Sequence, residues 1–110
     1  MKISSAKQKG RRASAEVQQA LLDAYPVLKP DDVRITPSSV NGPDLMLSTY
    51  AQFILPFEFE VKNQERLNIF TSLEQAKGHG DGIPLVVFKK NRSKLHVALE
   101  FDEFLKLISG

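Results

Sequence analysis

The chain has 110 residues, 42% of them hydrophobic and 25% charged, with a net charge of +2. That suffices for one domain around one core, and no apolar run approaches the length of a membrane span. Cysteine is absent, which excludes disulfides and thiolate metal sites and suits a cytoplasmic protein.

Lys2, Lys7, Lys9, Arg11 and Arg12 all precede the first acid, Glu16. No apolar stretch follows, so no secretory leader is expected, and residues 1–9 read as a flexible basic arm. Over 10–24, Ala13, Val17, Ala20, Leu21 and Ala24 recur at helical spacing. The prolines of "YPVLKPDD" break that helix. "VRIT" (33–36) reads as a strand, "PSSVNGP" (37–43) as turn, "DLMLS" (44–48) as a strand and "TYAQFILP" as a connector.

The next strand, 57–62, alternates Phe57, Phe59 and Val61 with Glu58, Glu60 and Lys62. Alternation puts the three charged residues on one face. A helix over 66–77 follows, with Leu67, Phe70, Leu73 and Ala76 as its buried stripe and Ile69 beside them. "GHGDGIP" (78–84) reads as a loop, "LVVFKK" (85–90) as a central strand and "KLHVALE" (94–100) as its neighbour. Asp102 can cap a last helix, "EFLKLIS". The order α-β-β-β-α-β-β-α predicts an α/β or α+β domain, a mixed central sheet flanked by helices.

If the strands at 44–48 and 57–62 are neighbours, Asp44, Glu60 and Lys62 share one sheet end. Two converging carboxylates are costly unless a proton or cation separates them. Without cysteine, a hard cation fits best, Mg²⁺ or Mn²⁺. Lys62 lies two residues from Glu60 on the same face and can hold an attacking water or steady developing charge. The set is what metal-assisted phosphodiester hydrolysis needs. A second basic run, Lys89, Lys90, Arg92 and Lys94, joins the first in suiting a polyanion such as DNA.

Pro43-Asp44 followed by Glu60-Val61-Lys62 resembles the PD-(D/E)xK nuclease signature. "KGRR", "GPDLMLS", "PFEFEVKNQE", "LEQAK", "PLVVFKKNRS" and "LEFDEFLKL" resemble, in that order, small phage-type Holliday-junction-resolvase-like endonucleases. The resemblance implies a restriction-endonuclease-like core, α-β-β-β-α-β, over residues 10–110. It implies Asp44, Glu60 and the Val61 carbonyl as metal ligands, and Lys62 as the catalytic lysine. Glu16 is implied as a further ligand, and a surface residue at the edge of the apolar stripe is the other reading. Gln75 is implied as a polar residue facing the site, and Glu58 is either a supporting carboxylate or a solvated neighbour.

Lys9, Arg11, Arg12, Lys89, Lys90, Asn91 and Arg92 would contact DNA. His79 and Asp81 read as surface loop, and His96 as a strand residue without a chemical role. The activity implied is Mg²⁺-dependent cleavage of branched DNA by a homodimer, with Mn²⁺ able to substitute, in the host cytoplasm if phage-encoded. A nicking or single-strand nuclease, or a catalytically silent DNA-binding module, are the alternatives.

Overall fold

The computed structural model describes residues 3–110; Met1 and Lys2, part of the expected basic arm, lie outside the described residues. The elements are α1 (Ile3–Ala24), a 3-10 turn (Pro30–Asp32), β1 (Val33–Ile35), β2 (Leu45–Leu47), α2 (Thr49–Ile54), β3 (Phe57–Asn63), α3 (Ile69–Lys77), β4 (Ile83–Lys89), β5 (His96–Ala98) and α4 (Phe101–Ser109). β1 and β2 form an antiparallel ribbon. β3, β4 and β5 form a mixed sheet in that order, parallel between β3 and β4 and antiparallel between β4 and β5. The architecture is α+β, two sheets flanked by helices.

Alternation along the central strands sorts the two faces of the mixed sheet. Phe59, Val61, Leu85 and Val87 point one way and join Ala13 and Val17 of α1, with Leu28, Val33, Leu45, Ala51 and Leu55, in the main core. Val86 and Ala76, both fully buried, lie outside that cluster. They belong to the opposite face, where α3 crosses between the parallel strands as such a connection must. Ser72 is also buried there; its hydroxyl donates to the Asn68 carbonyl at 2.9 Å, so its burial leaves no unmet donor. Small side chains at 72 and 76 let α3 approach the sheet closely.

The structure departs from the sequence expectations at several places. Residues 3–9 of the expected flexible arm are helical and belong to α1. Ala6, Lys7, Gln8 and Lys9 are strong helix formers, and the single Gly10 does not interrupt the run. The expected connector contains α2, whose cap is Ser48: its Oγ accepts from the Ala51 N–H at 3.0 Å and donates to Asp32 Oδ1 at 2.7 Å. α3 begins at Ile69 rather than 66, because the Asn68 side chain accepts from the Thr71 N–H at 3.0 Å and starts the helix there.

Phe70, expected in the buried stripe, is 83% exposed. The buried line runs through Ser72 and Ala76 with Ile69 and Leu73 half-covered, and Phe70 projects off it. α4 starts at Phe101 with Glu100 at its cap position, so Asp102 stands in the first turn instead. Nor is there one continuous central sheet: β2 pairs with β1, and a single backbone bond, Asp44 N–H to the Phe59 carbonyl at 2.8 Å, links that ribbon to β3. No helix among the described residues is long and apolar enough to cross a membrane.

Candidate active site

The Pro43-Asp44 corner is built by its neighbours. Gly42 takes φ +137°, a conformation that favours glycine, and turns the chain into Pro43. Thr36 then holds the corner twice: its Oγ1 donates to the Pro43 carbonyl at 2.6 Å, and its N–H donates to the Asp44 carbonyl at 3.0 Å. β3 is an edge strand of the mixed sheet, so alternate residues present backbone groups outward. Phe59 and Val61 are those residues. The Val61 N–H donates to Asp44 Oδ2 at 2.7 Å. Because a strand residue's N–H and C=O point to the same side, the Val61 carbonyl also faces the edge that carries Asp44.

Glu60 extends from the α3 face of β3 and is 8% exposed. Its Oε1 lies 3.6 Å from Lys62 Nζ. Its Oε2 lies 2.8 Å from His79 Nε2. Burial pushes the Asp44 carboxyl up to about 6; the Val61 N–H pulls against that shift, the nearby Glu60 charge adds to it, and Lys62 opposes it. The expected grouping of Asp44, Glu60 and Lys62 is therefore present, although β2 and β3 form no ladder. Asp44 reaches β3 through its own backbone and carboxylate.

His79, which its sequence context places in a surface loop, sits just past α3, and its backbone N–H donates to the Ala76 carbonyl at 3.2 Å. The flanking glycines press the loop onto β3: a Cβ at Gly80 would overlap the Glu58 carboxylate, and one at Gly82 would stand 3.1 Å from Glu58 Cγ and 3.3 Å from the Pro56 carbonyl. Nothing local in "GHGDG" signals the Glu60 contact, which joins residues 19 apart.

The remaining expected residues are dispersed. Glu16 is not brought to the carboxylate pair; its Oε2 lies 3.4 Å from Lys89 Nζ. The two share a cleft of about 500 Å³ with Lys9, Arg12, Asn63 and Asn91. On the α1 side of the site, a larger cleft of about 700 Å³ runs past Asp44 and Val61 and is lined by Lys7, Arg11 and Arg12. Arg12 borders both clefts, and Lys7 joins the basic residues singled out from sequence.

Lys90 and Arg92 stand on the exposed turn after β4 and line neither cleft. Gln75 is exposed on α3, and its side chain makes no hydrogen bond among the described residues. Glu58 is half-covered by the glycine loop and borders a separate cleft with Asp81. His96 stacks on Phe88 with ring centroids 5.5 Å apart.

Asp44 and Glu60, with the outward Val61 carbonyl, offer oxygen donors only, and a half-buried carboxylate raised toward neutrality gains from a nearby cation. Among the described residues no three acidic or histidine side chains form a complete metal cage. A hard cation held by two carboxylates, with water and phosphate completing its shell, is compatible with that donor set. In comparisons with known proteins, no family model, no curated protein and no solved structure matches the chain.

Proposed function

We propose that the chain is a Mg²⁺-dependent DNA endonuclease with a restriction-endonuclease-like PD-(D/E)xK core, acting on branched DNA as a homodimer. The observation that carries the reading is the meeting of Asp44 and Glu60 at the free edge of β3, with Lys62 3.6 Å from Glu60. When bound there, Mg²⁺, or Mn²⁺ in its place, supplies a Lewis acid for the phosphate and lowers the pKa of water. Asp44 and Glu60 would hold it, together with the Val61 carbonyl. Lys62 carries a positive charge two residues from Glu60 and can donate to an oxygen where negative charge develops. Lys7, Arg11 and Arg12, along the cleft that passes Asp44, suit the phosphates of a DNA strand. The exposed stripe of Phe101, Phe104, Leu105 and Ile108 on α4 supports self-association, since it is a large apolar patch for a free monomer.

The test is cleavage of a matched panel of four-way junction, flap, duplex and single-stranded DNA with Mg²⁺ and with EDTA. The junction should be cut, and EDTA should stop the cutting. Binding to every substrate with cleavage of none would leave a DNA-binding module. Preferential cutting of single strands would replace the branched-DNA reading.

A further inference from the structure

We propose that His79 is a positioning residue for Glu60, setting which carboxylate oxygen is offered to the bound cation; this rests on the reading of Glu60 as a cation ligand. Glu60 has two carboxylate oxygens with different surroundings. Oε2 is engaged by His79 Nε2 at 2.8 Å, whereas Oε1 faces Lys62 Nζ at a looser 3.6 Å. An ionised carboxylate only accepts hydrogen bonds, so it takes this contact from an Nε2 that carries the proton. That short bond removes the rotational freedom of the carboxylate about its last torsion. It leaves Oε1 to be shared between Lys62 and a cation.

The backbone that carries the ring is itself held in place. The His79 backbone N–H is bonded to the Ala76 carbonyl at the end of α3. Gly80 and Gly82 let the following loop lie directly on the Glu58 side chain. The chain from Ala76 to Ile83 is thus anchored on both sides of His79. Ligand carboxylates are commonly oriented by hydrogen bonds of this kind, and losing the orienting partner typically lowers metal affinity by about 10- to 100-fold.

The test measures Mn²⁺ binding to the full chain without DNA, following the free-ion signal by electron paramagnetic resonance, with thermal melts to check folding. Asp44→Asn and Glu60→Gln serve as references. His79→Ala should weaken Mn²⁺ binding by about 10-fold or more. His79→Gln, which keeps an N–H donor, should recover most of it. His79→Leu keeps bulk at the site but has no donor, and should weaken binding as much as His79→Ala; this variant carries the test if His79→Ala does not fold.

Wild-type affinity in His79→Ala or in His79→Leu, with Glu60→Gln having lost binding, would overturn the role of His79 and leave the metal reading standing. Equal losses in His79→Ala and His79→Gln would overturn it too, because the donor would then be irrelevant. No Mn²⁺ binding by the wild type would overturn both.

Discussion

α3 and α4 are each nine residues long, and they meet the rest of the molecule in opposite ways. α3 buries only the small Ser72 and Ala76. α4 carries Phe101, Phe104, Leu105 and Ile108 at i, i+3, i+4 and i+7 and buries none of its residues. The difference follows from chain path. α3 is the crossover between two parallel strands and has to lie across the sheet. α4 follows β5, an edge strand, so no uncovered central strand lies next to it. Apolar content measures how much a helix gains from a cover; topology decides whether the chain itself provides one.

If α3 and the face beneath it form the working side of the domain, the largest effect belongs to Lys62. Lys62→Ala should lower single-turnover cleavage by about 100-fold or more, the scale of losing one charge-stabilising donor. Lys62→Arg should not restore it, because a planar guanidinium cannot take the place of an ammonium. Rapid-quench assays at saturating Mg²⁺ would check this, and normal cutting by Lys62→Ala would remove the lysine from the site.

The packing contrast can be measured directly in urea unfolding. Ala76→Leu forces extra volume between α3 and the sheet and should destabilise the fold by about 1–3 kcal/mol. Phe101→Ser on α4 should change monomer stability by less than about 0.5 kcal/mol. Similar costs for the two would mean that α4 is packed in solution against something that covers it.

A last effect is confined to a pH window. The Asp44 carboxyl is raised from an ordinary 3.8 to about 6 in the fold. Between those values the folded chain binds a proton that the unfolded chain has released, so this group's contribution to stability falls as pH rises through the window. Asp44→Asn keeps an oxygen to accept from the Val61 N–H and removes the charge. In EDTA its melting temperature should gain on the wild type from pH 4 to pH 7 and then level off. A difference independent of pH would show that burial of Asp44 costs the fold nothing.

Much of this was legible in the sequence. The alternation of 57–62 gives both β3 and the common face of Glu60 and Lys62, and the 3.6-residue stripe through Ala13 and Val17 gives the buried side of α1. What was not legible depends on contacts between distant segments. The turn chemistry of 37–43 announces a corner before Asp44, but the bond from Val61 to its carboxylate is a matter of how the ribbon docks. In the same way Phe70 and Ala76 fit one helical stripe on paper, and only the position of the sheet selects Ser72 and Ala76. His79 was missed because its partner lies in another strand. The pairing of Glu16 with Lys89, across 73 residues, was hidden for the same reason.

Asp44 is where the β1–β2 ribbon meets the mixed sheet, through its own amide and through its carboxylate. The same residue is an acid of the candidate site. Any fluctuation that parts the ribbon from β3 therefore also disassembles the donor set, and the two events share one equilibrium. Apparent affinity for a cation would scale with the fraction of molecules in the docked state. A bound ion, in turn, would raise that fraction by mass action and act as a clasp between the two sheets.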